Sequence, residues 1–363
     1  MIKILIITPF TPDNQGVGAS YTSQLLLELS RDCLIDLVYF RYEEEASYVP
    51  CNSNIKIVKE KTINKVDKLK AICLNPMIFP LFSTRYNRDI IKYLNKHATK
   101  ANYDYIYLDF SQTFLYAKYI NHPNIILMSH DIIAQKYSRM KKYLRKWAMH
   151  TEEMLLKKGT IVFTFSLKDC NLIKEYYNIG SLSTTFFLNK NVLNAVPSYN
   201  SNYFVFFGNW SRQENCEGLE WFIKEVLDFV PKNTQFKIIG GGLPKKIREK
   251  VQLLKNIDYL GYVDNPYPII ANAIAEIAPL FKGAGVKVKC IEALGCGTPI
   301  IGTEIAFEGI GNEYSEFFTC ANSAKDFINI ISNFQFNLSE KKELKNLFLK
   351  LYNHKTILKY LRK

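Results

Sequence analysis

Residues 279–310 read PLFKGAGVKVKCIEALGCGTPIIGTEIAFEGI. The apolar Ile277-Ala278-Pro279-Leu280 enters this stretch as the end of a buried strand, and Gly283-Ala284-Gly285 breaks it. A helical run follows with Lys287, Lys289 and Glu292, and Gly295-Cys296-Gly297 stops it before the β-like Pro299-Ile300-Ile301. Small residues followed at once by a helix leave the first backbone N–H groups unpaired and converging on one place, which suits an anion. Two lysines in the first turns add positive charge, and a carboxylate one turn further on can grip a diol. Together these features describe a site for a diphosphate joined to a ribose. Glycine at a strand–helix junction and lysine on a solvated helix face produce many of the same letters, so neither decides the matter alone.

The whole chain is compatible with such a site. Its 363 residues suit two domains of ordinary size. Hydrophobic residues make up 48% of the chain, enough to fill both cores. The 47 basic and 34 acidic residues give a net charge of +13, a field that attracts anions over a distance set by salt. Nucleic acid, anionic lipid and phosphorylated substrates all fit that field. Eight cysteines show no C-x-x-C pair and no Cys/His metal spacing, so free thiols in a reducing cytosol are expected. Ile2–Phe10 is apolar but short and runs into Thr11-Pro12-Asp13, which reads as a buried first strand rather than a signal peptide. No stretch approaches the roughly 18–20 apolar residues of a spanning helix. A protein free in the cytosol, or resting on a membrane without crossing it, is the expectation.

Strand and helix patterns alternate along the chain. Strands are expected at Ile2–Thr8, Leu34–Phe40, Ile55–Val58, Tyr105–Leu108, Asn124–Ser129 and Thr160–Phe165, with a helix from about Ser20 to Ser30. Continuous apolar strands separated by helices imply parallel pairing with both faces covered. The Asn- and Ser-rich 188–202 reads as a linker. A second strand–helix series starts at Tyr203, giving domains at 1–190 and 203–337. A lysine-rich helix over 338–363 carries Leu344, Leu347, Phe348, Leu351, Ile357 and Leu361 at helical spacing.

The register G-A-G-V-K-V-K-C-I-E-A-L-G-C-G-T-P-I-I-G-T resembles the donor-site signature of glycosyltransferase family 4, the group 1 glycosyltransferases. An ordered match of this length is far more specific than a lone glycine motif. The resemblance implies an α/β chain of GT-B architecture, with two Rossmann-like doubly wound domains facing across a cleft and the last helix crossing back to the first domain. It implies donor binding by Gly283, Ala284, Gly285, Val286, Lys287, Lys289 and Glu292. Phe206-Phe207-Gly208-Asn209-Trp210 is similar to the family's strand ending beside the donor phosphates, which makes Asn209 and Arg212 additional candidates. Ile238–Gly242 and Leu260–Asp264 are similar to segments near the base; the former lacks the G-x-G-x-x-G spacing into a helix, which argues against NAD. One departure stands out: the first of a pair of glutamates eight positions apart falls here at Ala284, so the carboxylate that elsewhere touches the sugar is missing.

In the first half, Asn14–Ser20 resembles the family's glycine loop, and Gly16, Val17 and Gly18 become the implied donor phosphate and acceptor loop. Ser129-His130-Asp131 is similar to the family's histidine segment, which makes His130 the implied catalytic residue; Asp131 can instead cap the next helix. Ser166 and Asp169 read as a helix-capping device. The implied activity is transfer of a sugar from a UDP- or GDP-linked donor to a glycan or lipid-linked acceptor, with retention, in surface polysaccharide or glycoconjugate biosynthesis. No cofactor, no obligatory metal and no nucleic acid partner belong to that reading. Two rivals remain: a nucleotide-sugar epimerase on the same architecture, and a non-catalytic basic protein binding membranes or nucleic acid.

The charge has a local pattern. Residues 136–158 read as one helix mixing basic, aromatic and aliphatic residues, and 56–100 adds lysines around Ile78-Phe79-Pro80-Leu81-Phe82. An anionic membrane surface suits these letters, and so does a solvated helix face over a buried stripe.

Overall fold

Valine-, isoleucine- and leucine-rich runs such as Ile2–Thr8 can bury both faces only inside a covered parallel sheet. The computed structural model, which describes residues 1–12, 17–198, 201–352 and 356–361, contains two such sheets. The chain divides into one unit of Met1–Phe187 with Asn353–Lys363 and another of Leu188–Tyr352.

In the first unit the strands are β1 (Ile2–Thr8), β2 (Cys33–Tyr42), β3 (Ile55–Ile63), β4 (Tyr105–Asp109), β5 (Ile125–Met128), β6 (Ile161–Thr164) and β7 (Leu182–Ser183). They pair in parallel in the order β3-β2-β1-β4-β5-β6-β7. Strand order reverses between β1 and β4, and open sheets of this kind bind ligands beyond the strand C-termini at that switch point. Thr8 and Asp109 end the two flanking strands.

The second unit repeats the plan with β8 (Tyr203–Phe207), β9 (Gln235–Ile239), β10 (Ile257–Gly261), β11 (Glu276–Ala278), β12 (Ile300–Gly302) and β13 (Phe318–Cys320). Its parallel order is β10-β9-β8-β11-β12-β13, which puts the switch point between β8 and β11. Phe206, Phe222 and Phe236 form the middle of its core, with ring centroids 4.9 Å apart for Phe206–Phe222 and 5.3 Å for Phe222–Phe236.

Three expectations need correcting. The 188–202 stretch is no free linker: helix Lys190–Asn194 lies in it, and its Val192 is buried against Gly295, where a Cβ would come within 2.6 Å of Val192 Cγ1. The single helix expected over 338–363 is two, Leu338–Leu351 and Thr356–Leu361. Tyr352 leaves the helical conformation at ψ 111°, and its hydroxyl accepts the Leu188 N–H at 2.9 Å. The longer helix stays in the second unit, where it buries Leu344 and Phe348. Its Lys341 donates to Ala271 O and Ala273 O, each at 2.6 Å, and Lys345 to Val192 O at 2.9 Å and Gly295 O at 2.5 Å. These carbonyls lie at helix C-termini, where backbone acceptors lack intrahelical partners, so the buried lysines satisfy them. Finally, 136–158 is not one helix but the end of Ile133–Met140, a 3-10 turn at Lys142–Leu144 and the whole of Arg145–Leu156. Lys141, at φ −143° and ψ 79°, makes the break.

Candidate functional site

The quoted stretch lies at the β8/β11 switch point. After β11 the chain runs through Pro279 and Leu280, whose carbonyl accepts the Thr303 hydroxyl, into the glycine turn. Gly283 and Gly285 hold φ of 117° and 68°, values at which a side chain is strained, and neither is helical. Helix Val288–Gly295 therefore begins later than the expected Gly283–Val286 start, with Lys287 at its N-cap. Lys287 turns back on its own loop: its ammonium donates to Gly285 O at 2.6 Å and Ala284 O at 3.4 Å, with Glu308 Oε2 at 3.8 Å. Lys289 is different. Its ammonium has no hydrogen bond or ion pair among the described residues, and its stem passes the strand-end Gly208, where a Cβ would sit 3.8 Å from Lys289 Cδ. That leaves a free cation beside the β8 loop and one turn from Glu292.

Two carboxyls lie beneath it. Tyr267 donates its hydroxyl to Glu292 Oε1 at 2.9 Å, and Oε2 has no hydrogen-bond partner among the described residues. Burial pushes Glu292 up to about 7, against the pull of the Tyr267 hydrogen bond. Glu276, the first residue of β11, is fully buried with both oxygens unpartnered. Burial drives it up to about 8, with Lys289 opposing the shift and Glu292 adding to it. Glu276 was not anticipated; its one signal was an acid inside the apolar run Ile274–Leu280.

The other strand-end candidates do local work. The Asn209 side chain accepts the Ser211 N–H at 2.9 Å, and its carbonyl takes Asn215 Nδ2 at 2.8 Å. Arg212 is exposed and pairs with Glu214 at 3.8 Å, an ordinary loop arginine. Gly240 is explained by packing, since a Cβ there would lie 1.9 Å from Gly208 O.

At the first unit's switch point the arrangement is denser. His130, just after β5, places Nε2 2.8 Å from Asp109 Oδ1. Asp109 is fully buried and also accepts Thr22 Oγ1 at 2.7 Å and Thr8 Oγ1 at 3.4 Å. With its carboxyl occupied as an acceptor, Asp109 fixes the proton on Nε2 and leaves Nδ1 as the ring's acceptor. The imidazole stacks on Phe110, centroids 3.4 Å apart, and meets the edges of Tyr21 and Phe165 at 4.9 and 4.8 Å. Phe110 holds φ 63° and ψ 150°, a region that costs a non-glycine residue on the order of 1–3 kcal/mol. Such strain at a ring gripping a histidine marks a functional site more than a packing accident. Val17 and Gly18 open helix Val17–Leu29, while Gly16 lies outside the described residues. Ser166 Oγ accepts the Asp169 N–H at 3.0 Å, the expected cap. Asp131 does not cap: Glu152 takes the N–H groups of Ile133 and Ala134 at 2.8 and 2.9 Å, and Asp131 faces Lys136 at 3.5 Å.

Residues 201–335 match the family described as Glycosyl transferases group 1. The matched stretch contains the whole of the second unit's sheet, β8 to β13. The chain is also 29% identical over 150 residues to an uncharacterized 44.6 kDa protein in the cps region of Klebsiella pneumoniae, a match spanning 39% of each protein. Its fold is similar to that of sucrose-phosphate synthase from Thermosynechococcus elongatus, with a TM-score of 0.73 and 15% identity over 100% of this chain and 98% of that one. It is also similar to a TarM mutant of S. aureus solved with fondaparinux, alpha-GlcNAc-glycerol and UDP, with a TM-score of 0.70 and 12% identity over 100% and 99% of the two chains. At such identities the likeness establishes the GT-B fold alone. Within this chain, Gly283–Val286, Lys287, Lys289 and Glu292 gather at one switch point with Asn209 nearby in the β8 loop, and His130 stands at the other unit's.

Proposed function

We propose that this protein is a glycosyltransferase that moves a sugar from a UDP- or GDP-linked donor to a glycan or lipid-linked acceptor, with retention at the anomeric carbon, in making a surface polysaccharide or glycoconjugate at the cytoplasmic face of a membrane. The observation that carries this reading is the uncommitted Lys289 ammonium at the β8/β11 switch point, one helical turn from a Glu292 held by Tyr267. The cps-region setting of the Klebsiella relative and the UDP bound by the TarM mutant support the product and donor classes.

In this reading the donor diphosphate lies on the Gly283–Val286 turn and the first N–H groups of helix Val288–Gly295. Lys289 offsets the negative charge that grows on the leaving nucleoside diphosphate, a stabilisation worth most in a pre-arranged site. Glu292 takes a ribose hydroxyl on Oε2 while Tyr267 holds Oε1. His130, with Nδ1 as acceptor, is the proposed catalytic group for the transferred sugar. The reaction needs neither a cofactor nor an obligatory metal, because lysine and backbone supply the countercharge.

The test is transfer of radiolabelled sugar from UDP- and GDP-linked donors to a lipid extract. Lys289→Ala and Glu292→Ala are each expected to abolish it, and unchanged turnover in both would contradict the assignment. Isomerised donor appearing without acceptor would instead identify an epimerase.

A further inference from the structure

Two basic segments that are distant in sequence meet on one face of the first unit. Helix Lys65–Cys73 and the turn after it leave Leu69, Leu74 and Met77 exposed, Met77 by 82%. From the other segment Met140, Tyr143 and Trp147 are exposed, Tyr143 by 79%. Trp147 joins the two, donating Nε1–H to Met77 O at 3.2 Å and meeting the Phe79 ring edge at a centroid distance of 5.3 Å. Phe79 is pinned below by its N–H to Thr151 Oγ1 at 3.0 Å and by the Tyr137 ring at 4.7 Å. The aromatic platform is thus anchored, while the aliphatic ends above it touch solvent.

The charge around this patch is mostly positive. Between Ile132 and Thr151 stand six Lys or Arg and no Asp or Glu. Lys141, Lys142 and Lys146 make no ion pair among the described residues. The neighbouring helix carries Lys65, Lys68 and Lys70 and one acid, Asp67, whose carboxylate is held by the Asn64 N–H in a capping box; Lys68 donates to the Tyr42 hydroxyl. Large exposed aliphatic side chains are costly in water and mark a contact surface. Methionine and leucine side chains gain little from a phosphodiester chain, but they gain an apolar phase if they dip below lipid headgroups. Tryptophan and tyrosine favour that interface, and unpaired lysines match its negative surface potential.

We propose that the first unit docks on an anionic phospholipid surface through this face, with Met77 and Trp147 at its centre and the Lys141–Lys146 segment contacting headgroups. The inference extends the membrane-face placement proposed above, yet its test contains no sugar donor, so it stands or falls separately from the transferase reading.

The experiment is co-sedimentation of the full chain with vesicles of phosphatidylcholine alone or with about one-third phosphatidylglycerol. Binding is expected only to the anionic vesicles. Met77→Glu, at an exposed position that leaves the fold intact, and the pair Lys141→Glu with Lys142→Glu should each weaken it about tenfold or more. The control pair Lys245→Glu with Lys246→Glu removes the same charge from an exposed helix of the second unit and should bind like wild type. Equal loss in the control pair would overturn the proposal, as would equal binding to neutral vesicles. So would unchanged binding by Met77→Glu together with full competition by RNA, the mark of a polyanion-binding surface.

Discussion

Asp109 and Glu276 are both fully buried acids on strands that flank a switch point, and the protein treats them in opposite ways. Asp109 receives hydrogen bonds from His130, Thr22 and Thr8, whereas both oxygens of Glu276 have no partner. A buried carboxyl is tolerable as an anion when donors surround it and is driven towards the neutral acid when they do not. The first unit thus has a finished, rigid positioning device for one imidazole. The second unit has a pair of raised carboxyls beside a lysine that makes no hydrogen bond or ion pair among the described residues.

The largest effect that would sharpen this contrast is loss of donor binding. Lys289→Ala should lower kcat/KM by about 100-fold or more, in line with removal of a single charge-stabilising group. His130→Ala should lose comparable turnover while still binding nucleotide, which separates the roles of the two units. Asp109→Asn should come next, lowering kcat about 100-fold with donor KM unchanged, because the amide no longer dictates which ring nitrogen carries the proton. An unchanged kcat would show that the Asp109–His130 contact is only structural.

Glu292 predicts a smaller, pH-dependent effect. With its pKa near 7 in the folded protein, its ionised form grows as pH rises through that value, so donor affinity should increase from pH 6 to pH 8. Glu292→Gln should flatten the profile, measured by calorimetric titration. Glu276 predicts the smallest effect, on stability alone. Its ordinary value of 4.5 is raised to about 8, so between those values the folded state holds a proton that the unfolded chain has lost. Stability therefore falls as pH rises across that window. Glu276→Gln should raise Tm by a few degrees at pH 8 and change it little at pH 4.5; the reverse pattern would mean that Glu276 is ionised in the fold.

The two sites were unequally legible in the sequence. The second unit's site is written in one stretch, so its glycines, Lys289 and Glu292 could be read in order. The helix start was misplaced, because Gly283 and Gly285 take positive φ that no letter reports, and the return of Lys287 onto its own loop was equally hidden. Tyr267 and Glu276 were invisible as site residues, since what joins them to Glu292 is the packing of a helix on a strand. His130 could be marked, but Asp109 lies 21 residues away on another strand, and only the β4–β5 pairing brings them together. Helix caps showed the same limit: Asp131 was adjacent in sequence, yet Glu152 arrives from the next helix and takes the place. In the lysine-rich last stretch nothing marked Lys341 and Lys345 as buried, because long stems hide where an ammonium ends.

The central claim, that the second unit grips a nucleoside diphosphate through Lys289 and Glu292, is tested most directly by thermal unfolding with a panel of UDP, GDP and their sugars. Binding to the folded state alone raises Tm in proportion to ligand occupancy. The prediction is an upward shift with one nucleotide series in wild type and His130→Ala, and none in Lys289→Ala or Glu292→Ala. A panel that leaves wild type unmoved, or shifts Lys289→Ala and Glu292→Ala as far as wild type, would contradict it.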